Sequence, residues 1–175
     1  MNVYKCKICG DPYVGNTKPS NCPFCGAPAK FMILAANWID REAPRVSEIS
    51  RQKLEQSLEM ELDNVRFYQC AMNAADDPLA QAMFEALSRI EHSHARTVCR
   101  LLGRPEASIG EDCTCSATSP QEHLEEALRR EKEGVRFYRA AADLATEEQV
   151  EEFFGALAEV EEDHISLSNL GLGVA

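Results

Sequence analysis

The 175-residue chain has little of several things, and each scarcity excludes something. It has no apolar run of 18 or more residues, so no membrane-spanning helix is predicted. Its first residues, MNVYKCKICG, lack the apolar stretch of a secretory leader, and a cytoplasmic protein is expected. Basic residues are short, 18 against 29 acidic ones, and the net charge of −11 argues against nucleic acid as a partner. Acidic residues are in turn almost missing from residues 1–32, where four lysines (5, 7, 18 and 30) face Asp11 alone. The same segment is poor in helix signals and rich in glycine and proline.

Three parts follow: a cysteine module over residues 1–34, a linker over 35–46, and a helical region over 47–175. The module is too short to bury much core, and a metal is the expected substitute. In the linker, Trp38 and Ile39 are expected to pack on a neighbouring surface.

Stop signals divide the rest into four predicted helices. The first runs from about Ser47 to Ala75, where Asp76-Asp77-Pro78 turns the chain. The second reaches Leu102, before Gly103 and Pro105. The third opens on Ser119-Pro120-Gln121-Glu122, a capping box with proline at the first helical position. The fourth starts near Thr146, with Gln149 three residues on, and ends before Gly171.

The tetrapeptide Val-Arg-Phe-Tyr occurs at 65–68 and again at 135–138. A shift of seventy residues also superposes Leu54 on Leu124, Leu58 on Leu128, Phe84 on Phe154 and Leu87 on Leu157. The repeat unit is a helical hairpin, and its duplication predicts a four-helix bundle. Within it Glu61 repeats as Glu131, Tyr68 as Tyr138, Glu91 as Glu161, and His94 as His164.

Glu61 lies about 21 Å of helix before the first turn and Glu91 about 20 Å after it, at 1.5 Å per residue. The two therefore come level, as do Glu131 and Glu161. Each Glu-x-x-His pair shares a helix face. An apolar stripe interrupted by acids turns those acids inward. Four buried carboxylates would be costly alone, and two divalent ions would balance them. Carboxylate with imidazole suits iron or manganese. Tyr68 and Tyr138 lean back toward this layer and are expected to hydrogen-bond and fix ligands.

Cys6-x-x-Cys9 and Cys22-x-x-Cys25, each followed by glycine, can close on one tetrahedral ion, zinc or iron. Cys70 is turned away from Glu61, and Cys99, whose repeat mate is Asn169, is expected outside the ligand set. Cys113 and Cys115 in the second connection leave a redox or metal-binding role open, but a lone pair is too few ligands for chemistry to be assigned to it. His92 and His123 are expected at the surface.

The stretch YKCKICGDPYVGNTKPSNCPFCGAPAKF resembles the rubredoxin-like module of rubrerythrins, and Glu61, Glu91, His94, Glu131, Glu161 and His164 resemble the ligands of ferritin-like di-iron proteins. Nearly the whole chain resembles a rubrerythrin in reverse order, with the cysteine module first. The resemblance implies one redox iron on Cys6, Cys9, Cys22 and Cys25 and a di-iron centre on the six bundle residues. It implies reduction of hydrogen peroxide, with dioxygen as a possible second substrate. The implied donor is an NAD(P)H-dependent rubredoxin reductase or similar protein. It also implies a homodimer, or higher homo-oligomer, in which one subunit's tetrathiolate site serves the other's di-iron site.

Gly134 stands where typical rubrerythrins carry a further glutamate ligand, and the remaining six-residue set is more like that of a bacterioferritin. A glycine there allows either open space beside the metals or close helix packing. Two alternatives stay open: a ferroxidase that handles iron, and a non-enzymatic zinc-ribbon protein with a structural metal in the bundle.

Overall fold

The computed structural model describes residues 1–110, 117 and 119–173. Strands β1 (Asn2–Cys6), β2 (Pro12–Gly15) and β3 (Met32–Leu34) form an antiparallel sheet in the order β2-β1-β3. Alternation along β1 buries Tyr4 and Cys6 on one face. Gly10 and Gly26 follow the two cysteine pairs with φ of 84° and 72°. Only glycine adopts that backbone readily, and it lets each amide return to the first cysteine's carbonyl, Gly10 to Cys6 and Gly26 to Cys22, both at 2.9 Å.

Four helices follow among the described residues: α1 (Glu48–Ala74), α2 (Pro78–Leu101), α3 (Pro120–Leu144) and α4 (Glu148–Leu172). None is long and apolar enough to cross a membrane. Ser47 caps α1 through the Ser50 amide, and Asp77 caps α2 through that of Ala80. Both halves of the Ser119–Glu122 capping box form at α3. The start of α4 differs from expectation. Glu147, not Thr146, is its N-cap, and it makes no side-chain cap. Its carboxylate accepts instead from the Ser47 amide and the Ser50 hydroxyl, each at 2.5 Å, joining the start of α4 to that of α1. The end also differs. Helix α4 passes through Gly171 and closes at Gly173, which adopts φ 70°.

α1 packs on α2 and α3 on α4, and α1 meets α3 between the hairpins. The repeat survives in the packing. Tyr68 stacks on Phe84 with centroids 6.2 Å apart, and Tyr138 on Phe154 at 6.0 Å. His123 corrects the surface expectation: it is buried, packed against Phe67 and Phe84. His92 is exposed as expected.

The cysteine module does not stand apart. Tyr4, Ile8, Ala27, Met32 and its four cysteines share one apolar cluster with Val98, Leu101, Phe153 and Leu157 of the bundle. Polar contacts add to this: Lys7 with Glu152 at 2.9 Å, Lys30 with Glu159 at 2.6 Å, Asn21 with Asp163 at 3.1 Å, and Arg96 with Asp11. In the linker, Trp38 is half-buried under Lys5 Nζ, 3.9 Å from the ring centroid. Ile39 does not pack as expected and is 79% exposed.

Candidate metal centres

The hairpins deliver all six expected bundle residues to one layer. Glu61, Glu91, His94, Glu131 and Glu161 are at most 1% exposed, and His164 is 5% exposed. They divide into two clusters. Glu61, Glu91, His94 and Glu161 form one; Glu91, Glu131, Glu161 and His164 form the other. In each cluster the potential ligand atoms lie within 4.8 Å of one another. Glu91 and Glu161, the acids of the two Glu-x-x-His pairs, belong to both. Glu61 with His94 and Glu131 with His164 complete the two outer sides.

The spacing suits cations. His94 Nδ1 lies 3.0 Å from Glu91 Oε2 and 3.5 Å from Glu61 Oε2. His164 Nδ1 lies 3.3 to 3.4 Å from oxygens of Glu91, Glu131 and Glu161. Ligands about 2.1 Å from a shared ion are separated by about 3 to 4.2 Å. Glu61 Oε2, Glu91 Oε1, Glu131 Oε2 and Glu161 Oε1 are buried without a hydrogen-bond partner. One orphaned oxygen on each of four buried carboxylates is an arrangement that bound cations would satisfy.

Electrostatics agree. Burial pushes Glu61 up to about 8, against the pull of His94. Burial and the neighbouring Glu131 and Glu91 also push Glu161 well up. Glu91 goes the other way: burial would raise it, but the imidazoles of His164 and His94 beside it hold it below the usual carboxylate range. Burial disfavours the charged form of His94, yet Glu61 and Glu91 raise it to about 10. Protons here do the balancing that divalent ions could do.

The tyrosines act across the bundle. Tyr68 on α1 donates to Glu131 Oε1 on α3, and Tyr138 on α3 donates to Glu61 Oε1 on α1. Each phenol therefore fixes an acid of the other hairpin, a partnership the repeat alone did not specify. Ser57 Oγ, 3.4 Å from the Tyr138 hydroxyl, joins this network and was not anticipated.

Gly134 has a defined neighbour. A Cβ built there would lie 3.2 Å from Glu161 Cγ and 3.3 Å from Cδ. The glycine therefore faces a closely packed acid rather than open space. Its repeat mate Asn64 accepts from Arg130 at 3.1 Å.

In the module, Cys6, Cys9, Cys22 and Cys25 also converge within 4.8 Å. The Cys6–Cys25 and Cys9–Cys22 sulfur separations are both 3.7 Å. Four sulfurs about 2.3 Å from a tetrahedral ion would be about 3.8 Å apart, whereas a disulfide needs about 2.05 Å. These thiols are free and fit a tetrahedral ion. The Asp11 amide points at Cys9 Sγ at 3.5 Å.

The two sites touch. His94 Nε2 donates to the carbonyl of Cys25 at 2.9 Å. A carbonyl only accepts, so Nε2 carries the proton and Nδ1 faces the acids. Gly26 makes the approach possible: a Cβ there would fall 2.9 Å from Val160 Cγ1 on α4. The sequence offered no direct signal for this contact, because it depends on how the module seats on the bundle.

The other cysteines differ. Cys99 is a buried free thiol in the core. Cys70, given no chemistry from the sequence, is disulfide-bonded. Cys113 and Cys115 lie outside the described residues.

Comparison with family models, curated proteins and solved structures finds no match to this chain.

Proposed function

We propose that this protein is a ferritin-like, rubrerythrin-type di-iron peroxidase that reduces hydrogen peroxide, and secondarily dioxygen, to water. The observation that carries this reading is the pair of overlapping clusters sharing Glu91 and Glu161, joined through His94 to a four-cysteine site. Iron held by these residues would supply redox chemistry: two electrons and two protons convert one peroxide into two waters, and Cys6, Cys9, Cys22 and Cys25 would hold the ion through which electrons return.

The chain's own residues set the conditions. Glu91 and Glu161, common to both clusters, would help hold both ions, Glu61 and His94 would complete one set of ligands, and Glu131 and His164 the other. Tyr138 and Tyr68 occupy one oxygen of Glu61 and Glu131 and leave the other directed inward. Buried Phe84, Phe154 and Leu157 help keep the layer dry. The His94–Cys25 hydrogen bond supports a relay within one chain; the cross-subunit relay implied by the resemblance is its competitor. The electrons would originate from an NAD(P)H-dependent rubredoxin reductase or a similar electron donor.

Gly134 favours a second reading, ferrous-iron oxidation, because the chain lacks the further glutamate expected of a typical rubrerythrin. Stopped-flow mixing of the fully reduced protein separates the two. The peroxidase reading requires faster reoxidation by peroxide than by dioxygen; a rate per chain that does not change on dilution marks a relay within one chain. Faster reaction with dioxygen and turnover of added ferrous iron without a donor would establish the ferroxidase. A colourless protein with zinc on its cysteines would remove the electron relay altogether.

A further inference from the structure

Helix α2 carries Arg89, His92, Arg96 and Arg100 at intervals of three, four and four residues, so they share one face. That face borders the cysteine module. A cleft of about 700 Å³ has Arg89, His92 and Arg96 on one wall and Asp11, Pro23 and Phe24 on the other. A second cleft of about 640 Å³ shares Arg96 and Asp11 and extends past Cys9 to Arg100 and Lys5.

The internal repeat supplies a comparison. At the seventy-residue mates, α4 has Glu159, Glu162, Ser166 and Leu170. The hairpin therefore does not require cations at these positions. In a chain of net charge −11, the stripe is a local reversal of sign.

Contacts within the chain account for half of it. Arg96 pairs with Asp11, and Arg100 donates to the Ile8 and Cys9 carbonyls, holding the module. Arg89 is 77% exposed and, among the described residues, pairs only within its own helix, with Glu85. His92 is exposed. Between Cys22 and Cys25, Phe24 turns a 39%-exposed ring outward beside them. An apolar centre beside the thiolates, with cations along one rim, has the anatomy of a protein contact. The stripe from Arg89 to Arg100 runs along about 17 Å of helix rather than converging on a point, which fits a macromolecular surface better than a small anion.

We propose that this face docks an acidic one-electron carrier protein, with Pro23 and Phe24 at the centre of the contact and the carrier's carboxylates against Arg89, His92 and Arg96. The proposal rests on the reading of the cysteine site as redox iron and names where electrons enter it. Opposite charge speeds encounter and sets orientation, so the effect belongs mainly to the association rate and fades with salt.

The test uses the full-length iron-loaded protein, stopped-flow mixing and a photoreduced, strongly acidic flavodoxin as the carrier. R89E/H92E alters the two residues that do not hold the module. At low salt it should slow the bimolecular reduction of the cysteine site by about tenfold or more, with the difference largely lost in about 0.5 M NaCl. Its absorption spectrum and its reduction by dithionite should be unchanged. K132E/R136E, a larger charge change on α3, should slow the carrier reaction less than about twofold. Equal slowing by both variants, or no slowing by R89E/H92E, overturns the proposal. So does a pyrophosphate-induced rise in thermal midpoint that R89E/H92E abolishes without affecting the carrier, since the clefts are then a small-anion site. If the cysteines hold zinc, the redox reading fails independently. Interferometry with the oxidised carrier on immobilised full-length protein then decides docking alone, with salt-sensitive binding lost in R89E/H92E as the supporting result and unchanged binding as the contrary one.

Discussion

The hydroxyl of Tyr138 on α3 donates to Glu61 on α1, so a residue of one hairpin sets the carboxylate of the other. Tyr68 returns the relationship through Glu131. This crossing ties the duplicated halves together at the depth where the acids meet. Burial beside Glu61 and Glu161 also pushes the Tyr138 phenol well up, so it remains a proton donor across the working range.

Tyr138→Phe therefore frees the second oxygen of Glu61 inside the core. Leaving a buried polar group unpaired costs about 1 to 3 kcal/mol, and loss of a group that orients a ligand weakens metal binding by about 10- to 100-fold. Metal titration should show the weakening in the bundle while the cysteine site fills normally. Equal loss at both sites would mean a global folding defect instead.

Gly134→Ala separates helix propensity from site geometry. Alanine in a helix interior is favoured over glycine by about 1 kcal/mol. Its methyl group would press on Glu161, whose Cγ is 3.2 Å from the built position. The metal-free variant should be no less stable than the parent in thermal unfolding, while its bundle metals bind at least about tenfold more weakly. Unchanged affinity by calorimetric titration would show that Glu161 can yield at no cost.

Much of this site was legible because a repeat constrains two helices at once. A single Glu-x-x-His could lie on any solvated face; two in register, each thirty residues after a Glu that precedes a tyrosine by seven, specify depth as well as face. What stayed illegible was set by packing between segments. His123 was expected at the surface because its mate is Lys53, but Phe67 and Phe84 enclose it. Glu147, rather than Thr146, opens α4, and its carboxylate binds the start of α1, a partner that no local pattern specifies. The His94–Cys25 contact depends on a glycine whose importance shows only once Val160 stands beneath it.

Glu91→Ala tests the separation of the two centres. Glu91 belongs to both bundle clusters, so its removal should abolish paired metal there. Cys22→Ser should do the reverse, emptying the cysteine site and sparing the pair. Elemental analysis with visible spectra reads both. A bundle in Glu91→Ala that still takes up two ions would contradict the shared role.

The balance of protons predicts opposite pH behaviour for metal-free and metal-loaded protein. Glu61 is raised from its ordinary 4.5 to about 8 by burial. Its contribution to stability is full below 4.5 and is lost as pH rises toward 8. His94, raised from 6.5 to about 10 by Glu61 and Glu91 against the effect of burial, adds a contribution lost between those values. Glu91 is depressed, so its contribution is lost only in acid, below its ordinary 4.5. The metal-free protein should therefore lose thermal stability between about pH 5 and 9. Metal binding requires deprotonated carboxylates and a free Nδ1, so metal-conferred stabilisation should grow with pH across the same interval. Calorimetric melting of both forms in matched buffers reads the divergence. Parallel curves would mean that the acids and imidazoles hold their protons independently of any ion, and the layer would then be structural.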